Sequence, residues 1–492
     1  MLSVGLFVLV AHFALLLVLS LFGLHRLSMV FRWFRWRQKF AAPATTQRFT
    51  DLPMITVQIP VFNEKFVAER IIDATIALSY PADKLQIQIV DDSTDDTAEL
   101  IRDRVQHYQH LGYNIEHRHR TNRQGFKAGA LKEAMGFATG EFIAIFDADF
   151  VPDTNILNRL IHAFTDSSVG MVQARWTHLN RDSNRLTRTE AIMLDAHFAL
   201  EQEVRAASGS FLNFNGTAGI WRKSTIIDAG NWEADTLTED LDLSYRAQLK
   251  GWKMAYLNDV ECPAEIPADM AAFKSQQHRW AKGGVEVMLK LLKRVWRSPI
   301  AVSTKIESTF HLSNNLAYLL MLIDATVFLI PSIFIRDQYD LGFIWWLDLP
   351  LLLLSSGGHL IYLVFGQFAL AQNRKEALLS IPWLLLLGIQ LSYNNARAAV
   401  EALAGYRTEF VRTPKSGEGK SPAKPNRQMK SYVAVAPRGA VFELALAGIF
   451  AVLLAWASAS QLWFLMPVCA LLMIGYASTS LMTFHAASGA RQ

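Results

Sequence analysis

The sequence predicts an α/β fold, a doubly wound and mostly parallel sheet, combined with an α-helical transmembrane region. Three observations predict it. Between about residues 45 and 297, apolar strand-like runs alternate with helical patterns. Acidic clusters stand at the carboxyl ends of those runs, and long, nearly uncharged stretches flank the whole segment. Strand, crossover helix and strand in repetition give a parallel sheet. Ligands of such sheets bind outside the carboxyl ends of the strands, where the acidic clusters are.

The elements follow in order. Leu2 to Leu24 is long enough to cross a hydrocarbon core of about 30 Å. Arg26, Arg32, Arg35, Arg37 and Lys39 come next, which puts that end in the cytoplasm by the positive-inside rule. A cleaved signal peptide is the rival reading, but the start lacks a basic region and no small-residue cleavage site follows cleanly. Met54 to Pro60 reads as a first strand, with a helix from about Phe66 to Leu78. Leu85 to Val90 is a second strand ending at Asp91-Asp92-Ser93, and Ala98 to Tyr108 is helical. Glu141 to Phe146 is a further strand, delivering Asp147-Ala148-Asp149 at its carboxyl end.

Apolar spans resume near 312–335, 342–366, 439–458 and 462–482. The run Ile381 to Leu391 is short. Reading it and the helix at 394–404 as interfacial or re-entrant keeps Arg397, Arg407, Arg412 and Lys415 inside. The expected organisation is a membrane helix at 1–25, a cytosolic catalytic domain at 45–265 and amphipathic interfacial helices at 266–300. Two spans with the interfacial segment fill 310–405, a cytosolic loop fills 406–437, and two spans fill 438–483.

Composition fits this frame. A chain of 492 residues exceeds one typical domain, and 51% hydrophobic content points to the membrane. A net charge of +4 with local basic clusters but no long basic run argues against nucleic acid and fits anionic lipid headgroups. The two cysteines, Cys262 and Cys469, fall in a polar and a hydrophobic segment, so no disulfide and no metal cluster is expected of them.

Each cluster has a chemical reading and a plainer one. Asp147 and Asp149 can turn both carboxylates to one side of a strand end. Two carboxylates plus a diphosphate suit Mg²⁺ or Mn²⁺, which would neutralise charge on a leaving diphosphate. An isolated Asp-X-Asp is more commonly an acidic turn. Asp92, with Glu64 after the first strand, can accept hydrogen bonds from a nucleobase or ribose. Ser93, Thr94 or Asp95 can equally cap the next helix. Lys127 is a candidate diphosphate contact at a helix start, or simply solvated.

Thr238-Glu239-Asp240 opens a helix, where an acidic residue ordinarily serves the helix dipole. Inverting sugar transfer needs a base for the acceptor hydroxyl, and Asp240 is the candidate, with Glu239 the alternate. Gln276, Arg279 and Trp280 lie on a basic amphipathic helix suited to a membrane surface. Beside the acidic clusters they also supply donors for a departing diphosphate and an indole on which a pyranose can stack.

The series Asp92, Asp147/Asp149, Asp240 and Gln276/Arg279/Trp280 resembles the processive family 2 glycosyltransferases, the group of cellulose, chitin and hyaluronan synthases. Phe214 to Gly219 and Glu239 to Leu243 through Lys250 to Lys253 resemble the cellulose-synthase-like A and C branch, which makes β-1,4-mannan, glucomannan or the glucan backbone of xyloglucan. The likeness covers about residues 54 to 300. It implies a GT-A type domain in the cytosol at the plasma membrane, a multi-pass chain, and Phe214 and Asn215 beside the acceptor. Phe410, Thr413 and Lys415 are similar to the family's gating loop, with Arg412 where that loop has Val. The implied reaction is polymerisation of a β-linked polysaccharide from UDP-glucose or GDP-mannose, since Asp92 and Glu64 suit either base. The alternative is transfer of one hexose to diacylglycerol or a polyprenol. A non-catalytic scaffold would not need the complete acidic set.

Overall fold

The computed structural model describes residues 2–40, 47–370, 374–408 and 437–489. Phe410, Thr413 and Lys415 lie outside the described residues. α1 (Leu2–Phe40) is one long helix. It leads to β1 (Ile55–Val61), α2 (Ala68–Ile76), β2 (Leu85–Asp91), α3 (Thr97–His110), β3 (Ile115–His119), α4 (Phe126–Ala134) and β4 (Phe142–Ile145). β1, β2 and β4 are buried along their whole length, as parallel strands covered on both faces must be. Ile71 and Ile72 of α2 and Ile101 and Val105 of α3 cover one face, packing with Val57, Ile59, Ile87 and Ile89. Ala128 and Leu131 of α4 cover the other, against Ile143 and Ile145.

The second half of the domain runs through α5 (Ile156–Ile161), β5 (Val169–His178) and α6 (Arg185–Ala196). A π turn at His197–Gln202 joins α6 to α7 (Glu203–Ser208), followed by β6 (Gly219–Arg222), α8 (Lys223–Asp228), α9 (Glu239–Leu249), β7 (Lys253–Ala264) and α10 (Met270–Arg297). The seven strands form one sheet in the order β3-β2-β1-β4-β6-β5-β7. All neighbours are parallel except that β6 runs antiparallel to both β4 and β5. That reversal positions the site. With Gly219 opposite Ile145, the residues leading into β6 lie beside the carboxyl end of β4.

The remaining helices are α11 (Val302–Ser313), α12 (Leu316–Ile323), α13 (Leu329–Gln338), α14 (Trp345–Leu352), α15 (Gly358–Ala369), α16 (Arg374–Leu379), α17 (Ile381–Leu403), α18 (Pro437–Ala459) and α19 (Leu465–Gly489). π turns at Asp324–Phe328 and Leu353–Gly357 make α12–α13 and α14–α15 continuous. Among the described residues, five helices are long and apolar enough to cross a membrane: Val4–Arg37, Leu316–Gln338, Gly342–Ala369, Gly439–Ala459 and Leu465–His485. α17 is one unbroken helix that packs along α10, with Asn394 Nδ2 donating to Lys274 O at 2.9 Å.

Several charges among these apolar helices are paired. His12 Nδ1 lies 2.8 Å from Asp324 Oδ1 and His12 Nε2 lies 3.1 Å from Asp348 Oδ1, while Asp348 also pairs with Arg336. Where the helices meet the sheet domain, Arg26 pairs with Glu201 at 2.7 Å and Arg32 with Glu307 at 2.6 Å. Cys262 and Cys469 are buried in different cores, one in the sheet domain and one among the apolar helices.

Candidate active site

The direction of winding changes between β1 and β4: β1 connects through α2 to β2 on one side, and β4 lies on the other. Such a switch point opens a crevice at the carboxyl ends of the strands. Here a cleft opens there, closed over by the residues before β6, the start of α9 and the middle of α10. Of the site residues read from the sequence and described in the structure, all but Phe214 line it.

At the β1–β2 end the two loops are stitched together. Asn63 adopts a left-handed conformation, φ 54°. Its amide donates to Ser93 Oγ at 2.8 Å, and its Oδ1 accepts from the Thr94 amide at 2.8 Å. Asp92 is held by a bidentate guanidinium: Arg120 Nε and Nη2 each lie 2.6 Å from its oxygens. Arg120 Nη2 also donates to Phe126 O at 3.1 Å, so Asp92 fixes the turn into α4 as well as facing the cleft. Arg123 stacks on Phe62, 3.5 Å from the ring centroid, and both line the cleft.

At the centre, Lys127 Nζ lies 2.6 Å from Asp147 Oδ1, 3.9 Å from Glu239 Oε1, and 3.0 Å from Gly216 O. The Asp147 amide donates to Thr217 Oγ1 at 2.8 Å, which joins β4 to the segment before β6. Burial raises the Asp147 carboxyl, Lys127 pulls it down and Asp149 pushes it up again, with a net upward shift. Burial alone would lower Lys127, but Asp147, Glu239 and Asp240 outweigh it and hold the ammonium charged. A carboxyl pushed up by burial and a neighbouring carboxylate is what a divalent cation relieves, and an all-oxygen donor set fits Mg²⁺ or Mn²⁺. Asp147 and Asp149 could hold such an ion.

Asp240 stands at the start of α9, its Oδ1 accepting from the Leu241 amide at 2.8 Å. Burial, then the neighbouring Glu239 charge, push its carboxyl up to about 7. Two glycines make room around it. Gly216 has φ 79°, and a Cβ there would stand 3.1 Å from Asp240 Oδ2. Gly283 of α10 lets the turn before α9 approach, since a Cβ there would meet Thr238 at 2.6 Å. Gln276, Arg279 and Trp280 reach the cleft from α10. Burial lowers Arg279, against the pull of Glu239, Asp147 and Asp240. Further along α10, Lys282 donates to Thr408 Oγ1 at 2.8 Å and His278 Nε2 lies 3.1 Å from Glu401 Oε2, tying α10 to the end of α17 and the residues beyond it.

Several cleft residues were not read from the sequence. Trp176 and His178 come from the end of β5, Glu190 from α6 and Glu265 from the end of β7. Arg70 pairs with Glu265 at 2.6 Å and donates to Asp149 O at 3.2 Å, so it orients the acidic loop from behind. Phe214, expected beside the acceptor, does not line the cleft. Its ring is fully buried in the core edge-on to Trp221, and its amide donates to Ser244 Oγ at 2.8 Å, so it supports the cleft wall rather than an acceptor. Asn215, the next residue, does face the cleft, with Oδ1 accepting from Asn213 Nδ2 at 2.8 Å.

Residues 53–283 match the family described as Glycosyltransferase like family 2. The chain is 45% identical over 251 residues to glucomannan 4-beta-mannosyltransferase 1 of Oryza sativa subsp. japonica, covering 50% of this chain and 48% of that protein. It is 42% identical over 254 residues to glucomannan 4-beta-mannosyltransferase 2 of Arabidopsis thaliana, covering 51% and 48%. The chain spans about half the length of these curated relatives. The solved mannosyltransferase PcManGT of Pyrobaculum calidifontis, in complex with GDP-Man and Mn²⁺, has a TM-score of 0.51 at 21% identity, covering 79% of this chain and 98% of that one. That likeness is one of fold. The cleft residues from Glu64 to Trp280 all fall within the segment that matches the glycosyltransferase family 2 model, and the fold there is GT-A-like.

Proposed function

We propose that this chain is an inverting, metal-dependent membrane glycosyltransferase that polymerises a β-1,4-linked hexose, with GDP-mannose the first donor to test. The observation that carries the reading is the convergence of Lys127, Asp147, Asp149, Asp240, Arg279 and Trp280 on one cleft. The names of the relatives favour a mannan or glucomannan product. The five apolar helices favour a membrane setting, with the catalytic domain on the cytoplasmic face of the plasma membrane.

Asp240 takes the proton of the acceptor 4-hydroxyl as that oxygen attacks the anomeric carbon. A carboxyl near 7 is a stronger base than an ordinary aspartate and still ionises in the neutral range. Lys127 and Arg279 face the departing diphosphate, and their fixed charges need no reorganisation as negative charge builds. Mg²⁺ or Mn²⁺ on Asp147 and Asp149 would add Lewis-acid neutralisation of the same group. Trp280 stacks beneath the acceptor sugar and holds its end near the anomeric carbon, where proximity supplies much of the rate. Asp92 and Glu64 face the nucleoside.

The test is transfer from radiolabelled GDP-mannose and UDP-glucose with Mn²⁺, comparing the native chain with Asp240→Asn. The native chain is expected to form labelled product with one donor, and the variant to bind that donor but transfer nothing. Full turnover in the variant would remove Asp240 from the base role. No turnover by the native chain with either donor would overturn the reading.

A further inference from the structure

Outside the cleft, the carboxyl ends of β2 and β3 bring three other side chains together. In the parallel register Asp91 lies opposite His119 and Ile89 opposite His117. The alternation of a strand therefore projects Asp91, His117 and His119 from one face of the sheet. Asp91 Oδ2 lies 2.9 Å from His117 Nε2 and 2.9 Å from His119 Nδ1. The other carboxylate oxygen accepts from the Ser93 amide at 2.8 Å, which fixes the plane of the group. The side chain of Asp91 is fully buried, that of His117 is 10% exposed and that of His119 is 36% exposed. Two ligand groups are thus anchored and one faces solvent at the sheet edge.

We propose that Asp91, His117 and His119 form a binding site for a late first-row divalent transition metal, of which Zn²⁺ is the representative, separate from the Asp147/Asp149 pair. The donor set decides the class of ion. Two imidazoles and one carboxylate suit Zn²⁺, Co²⁺ or Ni²⁺, whereas Mg²⁺ takes oxygen ligands and keeps its waters. The geometry decides whether such an ion can enter. The three ligand atoms lie within 4.8 Å of one another. Tetrahedral bonds of about 2.0–2.1 Å hold ligand atoms roughly 3.3 Å apart, so each Asp91–histidine pair need open by only a few tenths of an ångström from its 2.9 Å spacing. The more exposed His119 can supply that movement. A water completes the coordination on the solvent side. The Ser93 amide acts as the outer partner that metal-bound carboxylates ordinarily have.

The site is next to the donor cleft without belonging to it. Asp91 precedes Asp92, which faces the cleft, and neither histidine lines it. Its occupancy is therefore separable from that of the Asp147/Asp149 pair.

The experiment uses the full chain in detergent, purified through a tag without histidine, stripped with chelator and held in excess Mg²⁺. Zn²⁺ is titrated by calorimetry and Co²⁺ by its visible absorption. One equivalent of Zn²⁺ is expected to bind despite the Mg²⁺, and Co²⁺ is expected to give the intense bands of a four-coordinate ion. The double variant H117Q/H119Q is expected to lose at least about 100-fold in Zn²⁺ affinity, with unchanged circular dichroism, while Asp147→Asn keeps the Zn²⁺ site. If the double variant fails to fold, His119→Gln alone carries the same comparison, because its ring stands at the exposed edge. Zn²⁺ uptake that the histidine changes do not reduce, or none in the native chain, would overturn the proposal.

Discussion

Lys127 Nζ sits 2.6 Å from Asp147 Oδ1 and 3.9 Å from Glu239 Oε1, so one ammonium bridges the carboxyl end of β4 and the start of α9. It is the charge that allows several buried acids to share one cleft, since burial by itself raises Asp147, Glu239 and Asp240. Replacing it with Ala is expected to lower kcat/KM for transfer by at least about 100-fold, the scale of losing one preorganised charge contact. Steady-state kinetics of Lys127→Ala check this, and an unchanged kcat/KM would contradict it.

The acid limb of the pH–rate profile follows from Asp240. A base must be ionised, so kcat/KM is expected to rise with pH through about 7, where burial and Glu239 place its carboxyl. Glu239→Gln removes the like charge and is expected to move that limb to lower pH. Stability takes the opposite sign. A carboxyl raised in the folded state keeps a proton that the unfolded chain releases. Its contribution is complete at low pH and is lost as pH rises from the ordinary carboxylate range to about 7. A profile flat below pH 7 would remove Asp240 from the rate.

Gly216 tests the space around that base. Its φ of 79° disfavours any other residue, and a Cβ would stand 3.1 Å from Asp240 Oδ2 and 3.4 Å from Lys127 Nζ. Gly216→Ala is expected to cost about 1–2 kcal/mol in backbone strain and to reduce transfer far more than thermal stability. Paired activity and unfolding measurements check it, and equal small losses in both would contradict the crowding.

Not every feature was legible in the sequence. β1, β2 and β4 were, because Val- and Ile-rich runs end abruptly in acidic residues. β6 was not, since it is four residues long and its antiparallel direction leaves no local signal. β7 was hidden because much of it is half-exposed and polar. Missing β5 and β7 meant missing Trp176 and His178, which β5 carries into the cleft, and Glu265, which follows β7 directly. Each acidic residue and the Gln276–Trp280 cluster has a plainer use alone, in a turn, a cap or a surface helix, and they stood out only as a set in this order along the chain. Phe214 misled because its neighbours Asn215 and Gly216 do face the cleft, while the chain at that point turns its ring inward. Arg120 was the recoverable omission: a basic residue just past β3 with an acidic partner just past β2.

The junction between sheet domain and helices is held by Glu307, which lies 2.6 Å from Arg32, 3.1 Å from His25 and 3.3 Å from Arg205. Burial would raise its carboxyl, but those three partners hold it well below the ordinary range. Glu307→Gln leaves buried cations without their counter-charge and is expected to destabilise the chain by about 3–5 kcal/mol. The native contribution is present at neutral pH and is lost as pH falls below the ordinary glutamate range. Thermal unfolding in detergent at pH 7 checks it, and an unchanged midpoint would show that Glu307 does not hold the junction.

The size and chemistry of the product separate a polymer synthase from a glycolipid synthase. Reconstituted chain is given Mn²⁺ and radiolabelled GDP-mannose, with UDP-glucose in parallel, and the product is fractionated by mass, by extraction into organic solvent and by digestion with β-1,4-mannanase or glucanase. The expected result is a high-mass product that stays out of the organic phase and is cut by β-1,4-mannanase. A single labelled hexose extracting with lipid would contradict it and make the chain a glycolipid synthase.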